Sequence, residues 1–342
     1  MVSVKDIAAE CKVSVATVSK ALNGYSDISE VTRRMIKEKA AEMGYLPNMA
    51  AVALKTKRTY NIGVLFADAA NSGLTNEYFA TVLQGARAEA ESRGYSITFI
   101  TNRFGNKKIT YSEFCRNRQF DGVIIACIDF NDPQVVELVK SGIPIVTIDH
   151  VFNNTLAVMS DNVKGVRDLV EYLYSMGHRK IAYIHGGDSS VTHDRLTSFY
   201  RCVERLELDI PTEYIMECKY RDTNKAARCT KKLLDLKDRP TCILYPDDFT
   251  AIGGINLIES RGLRIPDDIS VVGYDGISYT KIHEPTITTL LQGATEMGTT
   301  AAGKLIELIE HPKTTLRETY VIEGNVLIGE SVKDINSKRK NV

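Results

Sequence analysis

Residues 14–23, SVATVSKALN, carry polar and apolar groups at a spacing suited to reading duplex DNA. If Val15–Leu22 is a helix capped by Ser14, then Val15, Ala16 and Lys20 share its outward side. An ammonium there can donate to guanine O6 and N7, and small apolar groups can meet thymine methyls. Ser14, Thr17, Ser19 and Asn23 supply short polar groups of the kind that bind phosphate oxygens. The same pattern also suits a small helical bundle whose polar residues are simply solvated. Enzymatic chemistry has less support. There is no P-loop, no GxSxG, no HExxH, and no GxGxxG after the first core strand. The seven cysteines form no CxxC pair and read as reduced thiols rather than a disulfide framework or a metal site. His178 reads as a residue at a helix C-terminus, and His283-Glu284 lacks a second histidine. No catalytic set, metal or cofactor is expected.

The elements that must position these residues are legible from capping and periodicity. Three short helices are expected over Val4–Cys11, Val15–Leu22 and Glu30–Met43, capped by Ser3, Ser14 and Ser29 and closed by Gly44. Their core is read as Ile7, Ala8, Val13, Val18, Leu22, Val31, Ile36 and Ala40. Pro47–Thr59 has helical spacing over roughly nine residues, too few for a stable isolated helix. It is expected to fold only against a partner. From Tyr60 the pattern becomes continuous apolar strands alternating with amphipathic helices, which implies parallel sheets covered on both faces. The alternation runs twice, giving two doubly wound α/β halves with a cleft between them, at the carboxyl ends of the strands. The expected organisation is a head over 1–46, a linker over 47–59, a core over 60–330 and a basic, disordered tail over 331–342. Within the core, one subdomain takes about 60–158 and 290–320, and the other about 159–289 and 321–330.

Charge is uneven along the chain. Residues 1–60 hold ten Lys/Arg against six Asp/Glu, and the remaining 282 residues hold 33 against 37. A mildly basic head on a mildly acidic body suits DNA binding by the head. Apolar content of 44% with 25% charged residues fits a water-soluble globular protein with an ample core. No apolar run approaches the roughly 18 residues of a membrane span, and residues 1–20 do not read as a signal peptide, so a cytoplasmic location is expected.

The run VKDIAAECKVSVATVSKALNG, followed by GYLPN, resembles the LacI/GalR family of bacterial repressors. SDNVKGVRDLVEYLYSMGHRKIAYIHG, RPTCILYPDDFTAIGGINLIESRGLRIPDDISVVGYDGI and TTLLQGATEMGTTAAGKLIELIE extend the resemblance over nearly the whole chain, in the family's order. The resemblance implies a helix-turn-helix head on a core like that of periplasmic sugar-binding proteins. It implies a homodimer on pseudo-palindromic operator DNA, with Pro47–Lys55 as a hinge helix. Asn48 and Lys55 then join the DNA contacts, Leu54 wedges into the minor groove, and Ala51 faces the partner's hinge helix. Val52 departs from the basic or polar residue common at its position. Lys12 replaces a turn glycine, at a cost of roughly 1 kcal/mol if its φ is positive.

For the cleft, the resemblance makes Asp275 an effector-contacting aspartate and Arg195 the arginine that bridges ligand oxygens. Asp247 stands where the family often has asparagine, and Tyr220 where some members carry a stacking aromatic. Asp149 ends a core strand and Phe79 follows the first one, so both can face the cleft. The alternatives are an Arg195–Asp275 salt bridge, Asp248 in place of Asp247 as the inward group or helix cap, and plain packing roles for Tyr220 and Phe79. The loop FADAANSGLTNEYFA is longer than is usual after the first core strand.

These readings imply a repressor of carbohydrate-utilisation genes whose operator affinity is set by a small-molecule effector, a sugar. The rivals are a solute-binding protein without regulatory role and a sugar-active enzyme with a DNA-binding head. Lys20→Ala is expected to relax base preference, whereas Lys55→Ala should weaken binding to all sequences alike. Mobility shifts on single-base operator variants distinguish the two, and equal effects would contradict the assignment.

Overall fold

The computed structural model describes residues 2–67 and 73–336. The chain divides into two compact units, 1–59 and 60–342. In the first unit, α1 (Val4–Cys11), α2 (Val15–Leu22) and α3 (Glu30–Glu42) are followed by α4 (Met49–Thr56). Each of the first three starts at a serine whose hydroxyl accepts from a backbone N–H, from Asp6, Thr17 and Thr32 respectively. Lys12 closes α1 at φ 53°, the left-handed position expected of a turn glycine. Ile7, Ala8, Val18, Ala21, Ile36 and Ala40 form the buried core. Val31 does not belong to it: the side chain is 72% exposed, because it lies on the solvent side of the first turn of α3, and Ala21 is buried instead. The segment expected to fold only against a partner is already helical over α4 in the single chain.

The second unit begins with β1 (Asn61–Phe66), α5 (Glu77–Ser92), β2 (Ser96–Phe99) and a small antiparallel hairpin, β3 (Arg103–Phe104) with β4 (Lys107–Lys108). Then follow α6 (Tyr111–Arg118), β5 (Gly122–Ala126), α7 (Pro133–Val139), β6 (Ile145–Ile148) and β7 (Leu156–Ser160). The chain passes to the second half through α8 (Asn162–Ser175), β8 (Ile181–His185), α9 (Ser190–Arg205), β9 (Ile215–Glu217), α10 (Thr223–Asp235), β10 (Cys242–Leu244), α11 (Asp248–Ser260), β11 (Ser270–Asp275), α12 (Tyr279–Ile282) and β12 (Thr288–Leu291). It returns with α13 (Ala294–Glu310) and β13 (Thr319–Ile322), and ends on β14 (Asn325–Leu327).

Two six-stranded sheets result, ordered β13-β7-β6-β5-β1-β2 and β14-β12-β11-β10-β8-β9. All pairings in both are parallel except β12 with β14. Strand residues alternate between two cores in each sheet. Ile124 faces the α5 and α13 side, while Val123 and Ile125 face α6 and α7. Ile243 faces α10 and α11, while Cys242 and Leu244 face α8 and α9. This two-sided cover is why the strands read as unbroken apolar runs. The subdomain boundaries differ slightly from expectation. β7 runs to Ser160, β12 to Leu291 and β13 to Ile322, so each crossing comes a residue or two later.

The expected disordered tail is also corrected. Ser331 is fully buried and its hydroxyl donates to Val271 O at 2.6 Å, Val332 joins the core under α8, and Lys333 pairs with Asp267. The sequence reads as a basic run because it ends in lysines, but an apolar anchor precedes them. Residues 337–342 lie outside the described residues, as do 68–72 of the lengthened loop. His178 is buried. Its Nδ1 lies 2.8 Å from Thr241 Oγ1 and its Nε2 3.1 Å from Lys333 O, and burial pushes its pKa down to about 4. It is a neutral structural imidazole. Among the described residues no helix is long and apolar enough to cross a membrane, and no His/Cys/Asp/Glu cluster could hold a metal ion.

The tightest contact in the body is between α5 and α13. A Cβ on Gly298 would fall 1.8 Å from Val82 O, and one on Gly85 would fall 2.3 Å from Thr295 O. Both obstacles are backbone, which no side-chain rearrangement can relieve. Gly298→Ala is expected to destabilise the second unit by about 3 kcal/mol, at the upper end for overpacking. Urea denaturation of the two proteins checks this, and an unchanged midpoint would contradict the packing.

Candidate functional site

On α2, Val15 is 47% exposed, Ala16 is exposed and Lys20 lies on the same open side. The helix thus presents Val15 to solvent. The flanking polar groups are not idle in the free chain. Ser14 Oγ accepts from Thr17 N at 3.0 Å and lies 2.8 Å from Thr17 Oγ1, and Asn23 Nδ2 donates to Ser19 O. A phosphate would therefore meet a helix start that is already ordered. In α4, Leu54 is 87% exposed and Ala51 is exposed, while Asn48 O accepts from Val52 N at 3.0 Å. Lys55 lies within α4, and its side chain falls outside what is described.

In the second unit, Asp149 directly follows β6 and Asp275 is the last residue of β11. Both have left-handed backbone, with φ 59° and 111°. Such conformations store on the order of 1–3 kcal/mol in a non-glycine residue. They turn the carboxylates out of the strand direction at the mouth of the sheet. Asp149 Oδ1 accepts from Ser160 N at 2.9 Å, and Asp275 Oδ1 accepts from Gln292 Nε2 at 2.7 Å. Gln292 is buried on the crossing between β12 and α13, and its carbonyl accepts from Ser160 Oγ. One amide thus joins a residue of the first sheet to a residue of the second. Burial pushes the pKa of Asp149 up, and that of Asp275 well above the usual carboxylate range, with the charges of Asp247 and Asp248 adding to the latter.

Arg195 is 4% exposed and makes no salt bridge among the described residues. Its Nε donates to Asn162 Oδ1 at 2.7 Å and its Nη1 to Pro246 O at 2.9 Å. The guanidinium lies over the Tyr274 ring at 3.5 Å. This spreads its charge against an aromatic face and leaves Nη2 for an occupant. Asp247 is the N-cap of α11. It accepts from Thr250 N at 2.7 Å, from Thr250 Oγ1, and from Arg221 N at 3.1 Å. Asp248 is buried beneath it and accepts from Gly276 N, Ile277 N and Thr289 Oγ1 at 2.7–3.0 Å. Asp247 is thus the cap and Asp248 the internal strut, with burial raising the latter's pKa to about 7. Tyr220 packs where a Cβ on Gly186 would fall 2.2 Å from its ring, and its hydroxyl lies 3.0 Å from Thr192 Oγ1. Phe79 packs against Phe66 and Tyr78, with ring centroids 5.5 and 5.0 Å apart.

Among the described residues, three further contacts join the two halves. Ser190 Oγ donates to Asp149 O at 3.1 Å, and Arg221 Nη2 to Thr75 O at 3.4 Å. Ser278 donates to the Glu77 carboxylate through its N–H at 2.6 Å and its hydroxyl at 2.8 Å. Beside them lies a cavity of about 350 Å³ whose lining includes Tyr78, Asp275 and Gln292. Sequence reasoning missed Gln292, Ser160, Tyr78 and Arg221. Gln292 had one available signal: it directly follows a strand whose neighbour in the sheet ends on Asp275.

Residues 3–48 match the bacterial regulatory proteins of the lacI family, and residues 170–332 match a periplasmic binding protein-like domain. The chain is 30% identical to the probable HTH-type transcriptional repressor ExuR of Bacillus subtilis (strain 168), covering 98% of this chain and all of that one. It is 29% identical to the ribose operon repressor of Haemophilus influenzae, over 97% of this chain and 99% of the other. The lac repressor dimer bound to operator and the anti-inducer ONPF has the same fold, with a TM-score of 0.78 at 24% identity, covering 97% and 99% of the two chains. With a helical N-terminal unit, a two-sheet α/β unit and these full-length likenesses, the chain belongs to the lacI family of bacterial regulatory proteins.

Proposed function

We propose that the protein is a cytoplasmic transcription repressor that binds pseudo-palindromic operator DNA as a homodimer and is controlled by a neutral sugar held in the cleft. The observation that carries the control is the chain Ser160–Gln292–Asp275. Gln292 sits on a segment that crosses between the sheets, so an occupant engaging Asp275 pulls directly on the crossing. A change in how the halves close is then linked to how two heads are presented to one operator. DNA and sugar bias the same equilibrium, so the coupling is reciprocal and typically worth about 1–3 kcal/mol. Symmetry of a dimer matches symmetry of an operator, which offsets the few base contacts available to one α2. Relatives named as repressors, one of them for a ribose operon, support the same reading.

Neutrality of the sugar is argued from the groups available. The cavity beside the bridging contacts is lined by the carboxyls of Glu77, Asp275 and Glu296 and by the Gln292 amide, with no Lys, Arg or His in its described lining. Such walls accept hydrogen bonds from hydroxyls. They offer no cation to a carboxylate or phosphate on the ligand, and the charge of Arg195 is already shared with Asp149 and Asp275.

Thermal unfolding of the full-length protein with ribose, glucose, cellobiose, glucuronate, glucose 6-phosphate and hypoxanthine tests this. A neutral sugar is expected to stabilise it, by about 2.7 kcal/mol at a hundredfold excess over Kd, and Asp275→Asn to abolish the effect. A stronger response to glucuronate, the phosphate or hypoxanthine would overturn the effector class. Failure to retard any palindromic duplex at moderate salt would overturn the regulator reading itself.

A further inference from the structure

Lys20 does not stand alone on the reading face. Its Nζ lies 2.5 Å from Asp27 Oδ2, with the two side chains 47% and 52% exposed. The hydrogen bond raises the Lys20 pKa and lowers that of Asp27, so both are ionised at neutral pH. Asp27 lies in the turn between α2 and α3, and that turn is held from both sides. Arg33 Nη2, reaching back from α3, donates to Tyr25 O at 2.8 Å and to Ile28 O at 3.3 Å. Tyr25 N in turn donates to Lys20 O at 3.1 Å. The backbone on each side of Asp27 is therefore tied to a helix, and its carboxylate is delivered to Lys20 by a fixed platform.

A carboxylate at a surface that meets phosphates weakens binding to every sequence equally, unless its acceptors are used. Here they can be. A G·C pair presents two acceptors, guanine N7 and O6, followed by one donor, cytosine N4, across the major groove. An A·T pair presents acceptor, donor, acceptor. The Lys20–Asp27 pair offers the complement of the first pattern. The ammonium has three donors, one for Asp27 and two for guanine, and Asp27 Oδ1 remains to accept from cytosine N4.

We propose that Asp27 is a specificity-determining residue of the DNA-reading face, acting with Lys20 as a joined donor and acceptor for one G·C pair in each half-site. This rests on the DNA-binding reading above. Because the two charges cancel, the pair adds little to non-specific attraction and its contribution is concentrated on the matching base pair.

The test is selection of palindromic duplexes from a randomised library by the full-length protein and by its Asp27→Asn, Lys20→Ala and double variants. The near-isosteric Asp27→Asn keeps the turn, which a matching circular dichroism melt verifies. The wild type is expected to fix G·C at one position per half-site. Lys20→Ala and Asp27→Asn should both lose the preference at that position and keep it elsewhere, and the double variant should match Lys20→Ala there. Asp27→Asn should also bind unselected DNA about threefold to tenfold more tightly, with a salt slope steeper by up to about 0.9 per head. An unchanged G·C preference in Asp27→Asn, or a loss at a position that Lys20→Ala leaves alone, overturns the proposal. A wild type that selects no motif would instead overturn the DNA-binding reading beneath it.

Discussion

Gln292 lies where the chain leaves β12 of one sheet for α13 of the other, and its amide holds Ser160 with its oxygen and Asp275 with its nitrogen. A buried amide has two kinds of partner to find, and both are found here across the boundary between two independently packed sheets. Each sheet has its own cores on its two faces, so either half can keep its shape while the angle between them changes. The crossing segments are the covalent part of that joint, and the Gln292 amide is its polar part. The strained aspartates at the ends of β6 and β11 are held beside it by the same network. An occupant of the cleft that engaged Asp275 would therefore act on the place where the two halves are joined.

The chemistry of the cleft follows from how many carboxyls the fold buries there and what each already does. Asp247 and Asp248 are adjacent in sequence, yet one caps α11 and the other ties the turn after β11 to Thr289 of β12. Their bonds are made within the protein, which leaves Asp149 and Asp275 as the carboxyls with capacity to spare. Arg195 is likewise part committed, to Asn162 and Pro246, and part open. The balance of open groups is acceptor-rich and cation-poor, which favours a ligand rich in hydroxyl donors.

The head works by the opposite balance. It is basic overall, as a module meeting phosphates should be, yet its one long cation on the outward side of α2 is neutralised by Asp27. That pairing would let affinity for the backbone and discrimination among bases fall to different residues. In the proposed reading, helix starts and flanking polar groups would serve the first, and the Lys20–Asp27 pair the second. Helix α4 adds an exposed leucine, Leu54.

Much of this architecture is legible in the order of the residues alone. Serine caps at Ser3, Ser14 and Ser29, the switch from helical to strand periodicity at Tyr60, and the doubled α/β alternation act within a few residues of themselves, so the head helices, the central strands and the two-sheet plan could be read locally, whereas β7, β12, β13 and β14 could not. The outward side of α2 followed from the same local rules. The role of each aspartate in the pair at 247–248 did not, because it depends on Thr250, Gly276 and Thr289, which arrive from separate elements. Val31 looked like core by spacing, but the packing of α3 against α1 and α2 turned it outward and buried Ala21. The basic residues near the C-terminus looked free, yet Ser331 and Val332 before them found a place in the second sheet's core. Tertiary structure alone decided the pairing of Lys20 with Asp27 across a turn and the bridge from Ser160 to Gln292, 132 residues apart. Hydrogen bonds between distant segments leave no period in a sequence; they exist only once both segments have been packed into register.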